Sequence, residues 1–175
     1  MKRQELEADP VFRKTIAIAD YANEELREIA HNLMPPVLIK KGLGEAIRAY
    51  CKNGISSETL EAEIQVTGSP ARLNFVSELA IYRILQELIH NIVKHAMASR
   101  LTVCFNWQTN LLMIAIEDDG IGEYKSDDQT VGMGLQNISS RIAAFKGAMT
   151  IDHFSGQGTS VYLEFELIDT IERQR

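Results

Sequence analysis

Glu87, Asn91 and Lys94 stand four and three residues apart within the stretch QELIHNIVKHA. On a helix turning about 100° per residue they fall within roughly 60° of one another, with Arg83 nearby and His95 at the border of the apolar stripe. An acid, a neutral amide and a cation thus share one surface. That surface suits a polar ligand, and it equally suits a solvated face on which Glu87 supports Asn91 or His90. Three further clusters bear on the choice. The strand LLMIAIE runs into DDGIG, which puts carboxylate acceptors at the rim of a core where glycines let a ligand approach the backbone. Gly132-Met133-Gly134-Leu135 opens a helix containing Asn137 and Arg141, and N–H groups at a helix N-terminus suit phosphate. Gly156-Gln157-Gly158-Thr159 precedes the last strand and reads by itself as a hairpin turn. Each cluster alone is also compatible with an ordinary turn.

Regular elements must bring these clusters together. Ile81, Ile84, Leu85, Leu88, Ile89, Ile92 and Ala96 form one apolar side of a helix predicted over residues 76–96. A short helix is predicted over 42–53 and a strand over 60–66, followed by the turn signal TGSP. Runs at 100–107 and 111–117 predict one hairpin across QTN, and 149–153 with 159–167 a second across FSGQG. The polar residues 120–132 predict a loop, and 135–145 a helix ending at Gly147. This order predicts an α/β two-layer sandwich of helices on a mixed, mainly antiparallel sheet, with one long helix in front. That front helix spans 11–33, where Phe12, Thr15, Ala19, Ala22, Leu26, Ile29 and Leu33 form a heptad seam that stops at Pro35-Pro36. The seam fits packing on its own domain, or one leg of a helical bundle whose other leg lies elsewhere.

At 175 residues the chain can hold one domain with a full core and a short extra element. Its apolar and charged fractions, 45% and 24%, are those of soluble globular proteins. No apolar run approaches a bilayer span and the N-terminus MKRQELEADP lacks a signal-type segment, so a cytoplasmic chain without membrane contact is expected. A net charge of −6 argues against nucleic acid as a partner. Cys51 and Cys104 lie far apart in apolar contexts and are expected to be buried, reduced thiols.

In their chain order, QELIHNIVKHA, DDGIG, GMGLQNISSR and GQGT closely resemble the ATP-binding catalytic domain of two-component sensor histidine kinases, within the ATPase group that includes gyrase, Hsp90 and MutL. The resemblance covers residues 37–167. The segment REIAHNLMPPVLIKKGLGEAI is also similar to the end of the second dimerisation helix in kinases typified by nitrate-responsive and membrane-fluidity sensors. The implied division is a dimerisation and phosphotransfer remnant over 1–36, a catalytic domain over 37–168 and a tail over 169–175.

Carried over to this sequence, the resemblance implies that Asn91 coordinates the Mg²⁺ bridging the ATP phosphates, its carbonyl being a hard oxygen ligand. Glu87 would position or polarise the reacting group, and Lys94 and His95 would offset phosphate charge. Asp118 would accept the adenine amino group, Gly120 and Gly122 would let backbone and water reach the ring, and Thr159 would complete the pocket. Gly132 and Gly134, with Leu135 beside them, would present N–H groups to the phosphates at the end of an ATP lid spanning 123–131.

The resemblance also fails in places. Kinases of this kind carry a phospho-accepting histidine in a motif resembling ELHD, and none is present. His31, in IAHNL, matches the second helix instead and falls between seam positions Ile29 and Leu33. Asp119 stands where relatives often have asparagine, which adds a negative charge beside the pocket. The implied function is a catalytic fragment that transfers the γ-phosphoryl group of Mg-ATP to a histidine outside this chain, for relay to the aspartate of a response-regulator receiver domain. The intact kinase would be a homodimer through its dimerisation helix, and a membrane anchor elsewhere in it is compatible with the resemblance. The alternative is a free-standing ATPase or serine-kinase switch of the same fold, against which the heptad helix argues. A scaffold that has lost ATP fits poorly with Glu87, Asn91, Asp118 and the glycines.

Overall fold

Pro36 begins the first described helix, where its missing N–H is harmless because the first helical donors have no partner within the helix. The computed structural model describes residues 35–54, 60–122, 138–154 and 156–167. The chain divides into two units, Met1–Pro36 and Val37–Arg175, and the second holds the sheet and the helices packed on it. The expected heptad helix with His31 lies outside the described residues.

Helix α1 (Pro36–Lys41) passes through Gly42 into α2 (Leu43–Gly54), which turns Leu43, Ala46, Ile47 and Cys51 inward. Strand β1 (Glu61–Gly68) leads to α3 (Phe75–Asn91). The side chain of Asn74 caps α3 by accepting the Ser77 N–H at 3.0 Å. The apolar spacing has its expected effect, since Ile81, Ile84, Leu85, Leu88, Ile89 and Ile92 are all buried. The α-helix stops at Asn91, however, and Ile92–Ala96 form a π-helical turn that ends on Met97 in the left-handed region. The wider turn breaks the 100° spacing, so Lys94 and His95 are not one regular helical turn beyond Asn91 as the periodicity predicts.

Strands β2 (Arg100–Trp107), β3 (Leu111–Asp118), β4 (Gly147–Phe154) and β5 (Gly158–Glu166) complete a five-stranded sheet of order β1-β2-β3-β5-β4. A further helical stretch spans 138–144. The β1–β2 pair is parallel with α3 as its crossover, and the other pairs are antiparallel, including both expected hairpins. Alternate residues Leu101, Val103, Phe105, Leu112, Ile114, Ile116, Val161, Leu163 and Phe165 are buried in one core with the helical residues Leu38, Ile47, Leu85 and Ile89. Each such side chain contributes about 1.5–3 kcal/mol by leaving water. The other sheet face stays accessible, which makes the architecture the expected two-layer α/β sandwich. Cys51 is buried, whereas Cys104 takes an outward position in the β2 alternation and is half-buried, with its Sγ 3.5 Å from Gln65 Oε1.

Two arginines tie the helices to the rest. Arg72 meets both carboxylate oxygens of the buried Glu78, at 2.9 and 2.8 Å, and also donates to the carbonyls of Ile39 and Leu38. Arg48 pairs with Glu45 on α2 and donates to the Ile64 carbonyl of β1 at 3.0 Å. Among the described residues no helix is long and apolar enough to cross a membrane.

Candidate functional site

At the end of β3 the strand alternation points Asp118 inward, leaving it 7% exposed. Its Oδ1 accepts the Gly120 N–H at 2.8 Å, while its Oδ2 is buried with no hydrogen-bond partner among the described residues. Burial pushes this carboxyl above its ordinary value. The N–H groups of Gly120 and Thr159 oppose that shift, the charge of Asp119 adds to it, and His153 opposes it weakly. A buried carboxylate oxygen left unpaired is costly and is ready to accept a donor from a ligand.

The backbone around Asp118 is drawn close together. Thr159, itself buried, lies directly across from Asp118 in the β3–β5 register. Gly158 beside it has φ +94°, and a Cβ there would fall on the Asp118 carbonyl oxygen. A Cβ on Gly120 would fall on the Ala96 carbonyl and come within 2.8 Å of Asp118 Oδ1. Gly122 is buried just beyond. Asp118, Gly120, Gly122 and Thr159 therefore gather at one end of the sheet.

The π-helical turn is joined to the same place. Ile121 N–H donates to the Ala96 carbonyl at 2.9 Å, and Gly156 N–H donates to the Ile121 carbonyl at 2.8 Å. The turn carries Lys94, exposed, and His95, half-buried. Asn91, half-buried, ends α3 immediately before it, and Glu87 is exposed one helical turn earlier. The Tyr50 hydroxyl on α2 is pushed up mainly by burial, then by Cys51 and by the Glu87 carboxylate, which puts Glu87 in electrostatic reach of α2. Among the described residues no group of three or more His, Cys, Asp or Glu is arranged to hold a metal ion. Asn91, at the C-terminal end of α3, carries a hard carbonyl oxygen of the kind a divalent cation accepts as a ligand. Gly132, Gly134, Leu135, Asn137 and the expected lid lie outside the described residues.

Asp119 sets its charge beside Asp118 and raises the value of that carboxyl. Its own carboxylate accepts the Ser99 N–H, the Ser99 hydroxyl and the Arg100 N–H, at 2.7, 2.6 and 2.7 Å. Those bonds, the Ser99 hydroxyl first, hold its carboxyl below the ordinary value. Ser99 is the residue that sequence reasoning missed. MASR carries no motif, and the one available signal is a hydroxyl immediately before a strand.

Residues 76–169 match the model of the family described as histidine kinase-, DNA gyrase B-, and HSP90-like ATPase. Sensor histidine kinase ComP of Bacillus subtilis is 30% identical over 143 residues, which are 81% of this chain and 19% of ComP. Sensor histidine kinase MctS of Rhizobium johnstonii is 32% identical over 143 residues, 80% of this chain and 31% of MctS. The chain thus spans less than a third of these curated relatives. In fold, it is similar to the Acinetobacter baumannii histidine kinase AdeS, with a TM-score of 0.59 at 18% identity over 91% of this chain and 86% of the other.

Proposed function

This chain belongs to the family of histidine kinase-, DNA gyrase B- and HSP90-like ATPases, and from that premise we propose that it is the Mg-ATP-binding catalytic part of a sensor histidine kinase. The observation that carries this reading is the buried Asp118 Oδ2, an acceptor with no donor among the described residues, at the rim of the core. An adenine amino group is a donor of the kind this oxygen accepts, and Gly120 and Gly158 let the backbone close around Asp118 where any side chain would clash. Gly122 and Thr159 complete this end of the pocket.

On the phosphate side, Asn91 would hold Mg²⁺ through its carbonyl oxygen, and Lys94 and His95 would compensate phosphate charge. The ion would supply charge neutralisation. Glu87 positions the attacking imidazole or polarises it. Gly132 and Gly134, with Leu135 beside them, lie outside the described residues and would bind the phosphates through backbone N–H groups by the same resemblance. Transfer makes a P–N bond to a histidine on a helix outside this chain and breaks the bond from the γ-phosphorus to the ADP oxygen. The phosphoryl group is then passed to an aspartate of a response-regulator receiver domain. The protein's part is chiefly positioning and charge compensation. The intact kinase is a homodimer acting on the cytoplasmic side.

Calorimetric titration of the chain with a non-hydrolysable ATP analogue, with and without Mg²⁺, tests this reading beside an Asn91→Ala variant. Binding that depends on Mg²⁺ and is lost in the variant is the expected result. A folded wild-type chain that binds no analogue overturns the reading.

A further inference from the structure

We propose that Asp119 is a positioning residue for the nucleotide site, holding the π-helical turn that follows Asn91 against the end of β3 where Asp118 lies. The inference rests on the nucleotide reading of that site. The donors to the Asp119 carboxylate, Ser99 N–H, Ser99 Oγ–H and Arg100 N–H, all belong to the segment that carries the chain from the turn into β2. Asp119 N–H also donates to the Arg100 carbonyl at 3.3 Å. Three residues before Ser99, Ala96 closes the turn and accepts Ile121 N–H at 2.9 Å.

Residues 119–121 therefore grip residues 96–100 at both ends. A segment held at one end only could pivot about it, whereas a segment held at both keeps the turn at one distance from the strand end. Asp119 and Asp118 are chain neighbours, so the group that fixes the phosphate-side helix is covalently next to the group that reads the base. Short bonds to an ionised carboxylate are the strong kind, and the lowered value of this carboxyl agrees with its being charged when it makes them. Asp119 is exposed and buries no core surface. Its removal should act through placement of the turn and leave the packing of the sandwich intact.

The test titrates the full chain with the non-hydrolysable ATP analogue, with and without Mg²⁺, in wild-type, Asp119→Ala, Asp119→Asn and Ser99→Ala forms, with circular dichroism recording folding. Partners that orient metal ligands cost about 10–100-fold when lost, so Asp119→Ala is expected to weaken Mg²⁺-dependent binding by about tenfold while remaining folded. Asp119→Asn keeps an acceptor for both N–H groups and a partner for the Ser99 hydroxyl, so it should restore binding to within about threefold of wild type. Ser99→Ala removes one of the bonds and should fall between the two. Should Asp119→Ala not fold, the comparison of Asp119→Asn with Ser99→Ala carries the test, and equal wild-type binding by both overturns the proposal. Wild-type binding by a folded Asp119→Ala also overturns it and leaves the nucleotide reading standing. A wild-type chain that binds no analogue removes both.

Discussion

Arg72 and Glu78 form a two-point ion pair in which the carboxylate side chain is 1% exposed and the guanidinium 43% exposed. Glu78 lies in the first turn of α3 and also accepts the Leu73 N–H at 3.2 Å, while Arg72 reaches back to the carbonyls of Leu38 and Ile39. The pair thus joins α1 to the start of the helix that carries Glu87 and Asn91. Removing the arginine leaves a buried charge with one backbone donor. Arg72→Ala is expected to lose about 3 kcal/mol of stability, read from the midpoint of urea unfolding. A loss under about 1 kcal/mol would mean that water takes over the role of the guanidinium.

Asp118→Asn separates stability from binding. The ionised carboxylate is held in a desolvated place with no donor to Oδ2 among the described residues, which is unfavourable to the fold. An amide of the same shape removes the charge, and its thermal midpoint should rise by about 2–4 °C. The amide can turn an N–H toward the position of the ligand donor, and analogue binding should fall by about thirtyfold or more. Differential scanning calorimetry and titration on the same sample check both halves. Undiminished binding would place the base elsewhere.

Affinity should also depend on pH through Asp118. Its folded value is raised above the ordinary 3.8, so the folded chain holds this proton more tightly than the unfolded chain does. The resulting contribution to stability is present below 3.8 and is lost as pH rises through the raised value. Binding runs the other way, because an amino donor needs the ionised acceptor. Analogue affinity is expected to fall as pH is lowered through the raised value, with release of a proton on binding in that window. Titrations in buffers of different ionisation enthalpy measure that release directly, and a pH-independent affinity would contradict the assignment.

The fold was legible where one element's periodicity decides the outcome. Ile81, Ile84, Leu85, Leu88 and Ile89 could face only one way, and the two hairpins follow from short alternating runs with turn residues between them. Asp118 was legible as an acceptor because a buried strand ends on it. The π-helical turn was not, since IVKHA has nothing that distinguishes it from an α-helical sequence. Glu78 sat in plain view on an apolar helix face, yet the carbonyls that its partner Arg72 also binds lie more than thirty residues away and no local pattern names them. The direction in which Asp119 turns depends on Ser99, a contact that exists only once β2 and β3 pair. Strand order β1-β2-β3-β5-β4 is likewise a property of the assembled sheet.

An open sheet offers its outermost strands to any chain willing to extend it, and such growth is how soluble proteins become fibres. Here β1 is one of those outer strands, and Arg48 already occupies the Ile64 carbonyl. An incoming strand would have to displace a cation from that oxygen and then run past Glu61 and Glu63. The arginine that anchors α2 therefore also occupies a carbonyl that an added strand would need.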